Sequence, residues 1–110
     1  MKYFTIEELC RSEKAIELKI KNQPNSEAVE NMRILIEECL DPIREKWGAP
    51  LIVNSGYRCP QLNKAVNGSN TSDHLKGRAA DLIPIPNTKE NRIKLLYHIK
   101  KCGVKFWNIV

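Results

Sequence analysis

The stretch Ser72-Asp73-His74-Leu75-Lys76-Gly77-Arg78-Ala79-Ala80-Asp81 decides how this chain folds. Its first half is polar and ends at Gly77, which breaks any helix after His74. Its second half opens a run of small and apolar residues, Ala79 to Ile85, that reads as a buried strand. A histidine on a loop and an aspartate on a rigid strand thus stand seven residues apart. A neutral imidazole and a carboxylate are good direct ligands for zinc, the commonest catalytic metal held by such N/O sets. The spacing excludes the helical two-histidine zinc motif, whose ligands lie four apart on one helix face. Convergence of His74 and Asp81 therefore depends on the fold.

Outward from this stretch the elements alternate. On its N-terminal side, Pro50 to Ser55 reads as a strand ending at Gly56, and Pro60 to Val66 as a short helix before the polar loop Asn67-Gly68-Ser69-Asn70-Thr71. Ser26 caps the clearest helix. Val29, Met32, Ile36, Cys39, Leu40, Ile43 and Trp47 recur at three- and four-residue steps, with Glu30, Arg33, Glu37, Asp41, Arg44 and Glu45 opposite. Pro42 should kink that helix and Gly48 should stop it. Further back, Thr5-Ile6-Glu7-Glu8 is a capping box opening a helix to about Lys14, and Ala15 to Asn25 reads as a connecting loop.

On the C-terminal side, the strand stops at Pro84 and Pro86, and Thr88 caps a helix from Lys89 to about Cys102, ending at Gly103. Ile93, Leu96, Tyr97 and Ile99 are the expected buried face, which turns His98 towards solvent. Lys105 to Val110 reads as the start of another strand. These elements predict one α+β domain over residues 1–110, a small antiparallel sheet packed with helices.

Hydrophobic content of 42% and charged content of 28% are ordinary for a globular protein. The net charge of +5 favours acidic partners such as anionic cell-wall polymers. No basic block interleaves with aromatics, so no nucleic-acid partner is expected. Cys10, Cys39, Cys59 and Cys102 show no paired spacing and read as reduced, partly buried thiols. No apolar run approaches membrane-spanning length, so no membrane insertion is expected. Met1-Lys2-Tyr3-Phe4 runs straight into a capped helix, which predicts a cytoplasmic chain made without a signal peptide.

Ser55-Gly56-Tyr57-Arg58, then Pro60 and Asn63, then the pattern Ser72-x-His74-x-x-Gly77-x-Ala79-x-Asp81, resemble the hedgehog/D-Ala-D-Ala-peptidase group. That group includes zinc D-Ala-D-Ala carboxypeptidases, dipeptidases and phage L-alanyl-D-glutamate endopeptidases. The resemblance spans about Val53 to Leu82 and implies roles for individual residues. His74 and Asp81 match the first two zinc ligands. Arg58 matches the arginine that orients substrate and stabilises the developing oxyanion, work suited to a fixed planar cation. Ser72 matches a substrate-binding position, and Tyr57 and Asn63 lie in the same motif, Tyr57 as a substrate-binding candidate.

Members of the group carry a third zinc ligand, a histidine, on a later strand, with an acidic general base a few residues before it. No residue after Asp81 fits that pair; His98 and Cys59 are poor substitutes. The resemblance thus implies a chain that lacks its C-terminal ligand strand, binds zinc poorly, and leaves a strand edge open to self-association. Its implied substrate is a D-amino-acid-containing peptidoglycan stem peptide. The missing signal peptide fits a phage or prophage lysis enzyme that meets the cell wall only once released. A non-catalytic relative that binds peptidoglycan or a protein partner is the alternative.

Overall fold

The structure, a computed structural model, describes residues 1–101 and the backbone of 108–109. Its core is built on one long helical segment. Asn25, rather than Ser26, caps it by accepting from the Ala28 amide, and α3 runs Ser26–Leu35. A π-helical turn, Ile36–Leu40, then leads directly into α4, Asp41–Trp47. Pro42 has no amide hydrogen to donate, and the widened turn precedes it, with the Asp41 amide reaching back to the Ile36 carbonyl. The expected disruption is therefore a bulge that lets the helix continue. Gly48 stops it in the left-handed conformation.

Met32, Ile36, Cys39, Leu40 and Ile43 of the expected stripe are fully buried, joined by Leu35 and Ala28. Val29 is 37% exposed, outside the core. Asp41, expected on the polar side, is buried instead. Its carboxylate accepts from the Lys2 amide at 2.6 Å and the Tyr3 amide at 3.0 Å, tying down the N-terminus.

The N-terminal region corrects the sequence reading. Thr5 caps α1 as expected, but α1 is only Ile6–Cys10. Arg11 and Ser12 are extended, and Ser12 caps a second helix, α2, Glu13–Glu17, which runs past the expected helix end near Lys14 into the expected loop. Cap residues compete locally with helix continuation, and Ser12 won that competition through its bond from the Ala15 amide.

Strand β1, Leu51–Ser55, pairs antiparallel with β2, Ala79–Pro84. Between them lie α5, Pro60–Ala65, and a 3-10 turn, Asp73–Lys76. Helix α6, Lys89–Lys101, crosses over to β3, Asn108–Ile109, which joins β2 in the parallel sense beside Ala79 and Ala80. The α+β class holds, with its antiparallel sheet in β1–β2. The parallel third strand follows from the helical crossover, which takes the chain from the Pro84 end of β2 back to its Ala79 end. The expected helix end at Gly103 and residues 105–107 and 110 of the expected last strand lie outside the described residues.

Helix α6 buries Leu95 and Ile99, whereas Ile93, Leu96 and Tyr97 are 60%, 44% and 62% exposed. Apolar residues lie on both sides of this helix, so periodicity did not reveal which side packs. His98, expected to face solvent, sits against α4, its Nε2 3.1 Å from the Ile43 carbonyl and its ring tilted over Trp47.

Candidate active site

The site forms where the end of β1 meets the 3-10 turn. Gly56 follows β1, and a Cβ there would lie 2.4 Å from the Leu9 carbonyl oxygen, so only glycine lets the end of α1 pack against it. The same approach supports a 2.7 Å bond from the Tyr57 amide to Leu9. Ser72 caps the 3-10 turn by accepting from the His74 amide. Gly77 ends the turn at φ +73, pressed against the Ala28 carbonyl of α3. The Asn31 side chain donates to the Lys76 carbonyl at 2.9 Å and holds the turn on the same helix.

Two bonds join turn to strand end. The Arg58 amide donates to the His74 carbonyl at 3.0 Å. The His74 Nδ1 lies 2.6 Å from the Gly56 carbonyl oxygen. A carbonyl oxygen can only accept, so the ring hydrogen is on Nδ1, and the Nε2 of the neutral ring carries a lone pair. That Nε2 faces the Asp81 Oδ2 at 3.8 Å. His74 is well covered, its side chain 13% exposed, while the Asp81 carboxylate is 40% exposed.

This pair meets the geometric requirement for sharing one ion. Zinc at its usual distances from nitrogen and carboxylate oxygen sets two tetrahedral ligand atoms about 3.4 Å apart. A separation of 3.8 Å is too long for a hydrogen bond and within a few tenths of that figure. The backbone acceptor on Nδ1 is the usual support for a metal-binding histidine. Among the described residues no third His, Cys, Asp or Glu completes a set of three. His98 belongs to the α4–α6 contact, and Cys59 is buried at the start of α5.

Arg58 stands beside the pair. Its Nη2 lies 3.3 Å from the Ser72 Oγ, while its buried Nε has no acceptor among the described residues. Arg58 and Asp81 both line a groove of about 730 Å³ that runs past Asn54 and Ile52 of β1 to Lys14 and Glu17 of α2. Tyr57 lines the same groove. It is only 5% exposed, part of the core, with its hydroxyl 3.5 Å from the Gln23 carbonyl. Asn63 is also buried, and its amide donates to the Ser69 carbonyl to hold the loop before Ser72.

The structure thus brings together His74, Asp81, Arg58 and Ser72, as the sequence expected, and turns Tyr57 inwards. Two supports carried no sequence signal. One is the Gly56 carbonyl, which fixes the imidazole. The other is Asn22, inside the stretch read as plain loop, which bonds to the backbone on both sides of Arg58.

A small α+β fold thus brings a histidine, an aspartate and an arginine together where β1 ends. The Peptidase M15 family model matches residues 2–107, and the chain belongs to that family, the zinc D-Ala-D-Ala carboxypeptidases and hedgehog-like peptidases. Comparison with curated proteins and with solved structures finds no match.

Proposed function

We propose that this chain carries the site of a zinc peptidase that cleaves D-amino-acid-containing stem peptides of peptidoglycan. The observation that supports this most is the His74 ring, whose Nδ1 is held by Gly56 so that Nε2 faces Asp81. His74 and Asp81 would hold the metal, which when bound supplies Lewis-acid polarisation and an acidified water. Arg58 is the group suited to the oxyanion of the tetrahedral intermediate. The outer Nη groups of its guanidinium, one of them beside Ser72, are the donors that a substrate carboxylate or carbonyl would meet. Ser72 orients the guanidinium from one side and would meet the substrate from the other. Tyr57 shapes the wall from beneath.

A third protein ligand and an acidic general base are needed for turnover, because catalytic zinc usually takes three protein ligands and a water. Residues outside the described set, or a partner chain, would have to supply them. The pair count among the described residues favours a second reading, a binding relative without turnover.

The two readings separate in a zinc titration and a stem-peptide digest on the longest natural product of this gene. One zinc per chain with peptide cleavage, lost on Arg58→Lys by about 100- to 1,000-fold, supports the peptidase. Peptide binding without cleavage at saturating zinc supports the binding relative.

A further inference from the structure

The segment between α2 and α3 contributes one side chain to the site. Asn22 is half-buried, and its Nδ2 donates to two carbonyls, that of Cys10 at 2.8 Å and that of Tyr57 at 2.9 Å. Its Oδ1 accepts from the Cys59 amide at 2.7 Å. The assignment of oxygen and nitrogen is self-consistent, because exchanging them would set N–H against N–H and oxygen against oxygen. Tyr57 C=O and Cys59 N–H are the peptide groups that flank Arg58. One side-chain amide therefore clamps the backbone before and after the arginine.

Two further backbone groups of residues 56–59 are engaged by His74. The Gly56 carbonyl holds the His74 ring, and the Arg58 amide holds the His74 carbonyl. Four consecutive residues, 56 to 59, thus bond to the site on one side and to Asn22 on the other. The arginine side chain has only one polar contact among the described residues, the 3.3 Å approach to Ser72. Its buried Nε and the Ser72 contact place the guanidinium, and both depend on where the Arg58 backbone starts the side chain.

We infer that Asn22 is the positioning residue for Arg58, fixing the guanidinium in the groove through the peptide groups of Tyr57 and Cys59. The catalytic value of that placement rests on the peptidase reading above, but the placement itself does not. A carboxamide suits this task because it presents two donors and an acceptor in one plane. Aspartate would keep the acceptor for Cys59 and set carboxylate oxygen against two carbonyls.

The test uses nitrogen-15 NMR of the chain as it stands, with and without Asn22→Ala. In the parent, the Cys59 amide exchanges slowly and the Arg58 Nε–H gives a sharp signal with a rigid heteronuclear NOE. In the variant, Cys59 exchange rises by roughly tenfold, as expected for one lost hydrogen bond. The Arg58 Nε–H signal becomes mobile, while amides of α3 and α4 keep their protection. Unchanged Arg58 dynamics in a folded variant would overturn the assignment. If Asn22→Ala does not fold, Asn22→Asp decides: it keeps the Cys59 acceptor and loses the donor to Tyr57, so a mobile Arg58 Nε–H supports the assignment and an unchanged one overturns it.

A peptide-cleaving form of the protein adds a second arm. Asn22→Ala lowers kcat when Arg58 is present and has no further effect in an Arg58→Ala background, whereas a merely structural role would lower it in both. Absence of cleavage in every form counts against the peptidase reading alone and leaves the NMR result to judge the clamp.

Discussion

Replacing Gly77 by alanine tests how the site is tied to the core. Gly77 has φ +73, and an added Cβ would lie 2.7 Å from the Ala28 carbonyl oxygen and 2.9 Å from the Met32 Cγ. Holding a residue with a side chain in the left-handed region costs roughly 1–2 kcal/mol. The contact with α3 adds an overpacking cost of about 1–3 kcal/mol, because backbone oxygen and a fully buried methionine have little room to give. The sum, roughly 2–5 kcal/mol, is a large part of the ~5–15 kcal/mol typical of a whole domain. Urea unfolding followed by circular dichroism, extrapolated linearly, measures it. Gly77→Asn separates the two causes, since asparagine tolerates the left-handed region but still carries the Cβ. Asparagine should therefore be destabilising, but less so than alanine. The Gly77 amide bonds back to the His74 carbonyl, so the His74 ring resonances should shift in both variants. A Gly77→Ala protein within about 0.5 kcal/mol of the parent would refute the argument that this turn is pinned in a left-handed conformation against α3.

Three further outcomes follow from the geometry. His74→Ala and Asp81→Ala should each abolish what zinc binding the chain has, read by calorimetric titration, while Cys59→Ala leaves it unchanged because that thiol is not part of the pair. Asp41→Ala should cost about 1–3 kcal/mol in urea unfolding, because the Lys2 and Tyr3 amides lose their buried acceptor. Burial, and to a smaller degree Glu7 and Glu38, pushes the Cys10 and Cys39 thiols up to about 11, from an ordinary value of 9.0. Between those values the unfolded chain gives up protons that the folded chain keeps, so stability is intact below pH 9 and falls as pH rises towards 11. The urea midpoint should track that fall, with a shallower slope in Cys10→Ala and Cys39→Ala proteins.

What the sequence determined by itself was whatever short-range chemistry can specify. Proline and glycine bounded β1, β2 and α5, the Thr88 cap opened α6, and the stripe from Met32 to Ile43 marked the core helix, because these signals act within one or two turns of chain. The pattern from Ser55 to Asp81 likewise named His74, Asp81, Arg58 and Ser72, since their identities and spacing are written in a single stretch. Only the tertiary structure decided how those residues meet. Which nitrogen of His74 faces Asp81 is set by the Gly56 carbonyl, eighteen residues away, and backbone groups leave no mark in a sequence. The inward turn of Tyr57, the packed side of α6 and the clamp from Asn22 were hidden for the same physical reason. Each depends on which surface of the rest of the molecule a segment meets, and a side chain with apolar neighbours on both sides, or an amide in a loop, carries no local sign of that choice.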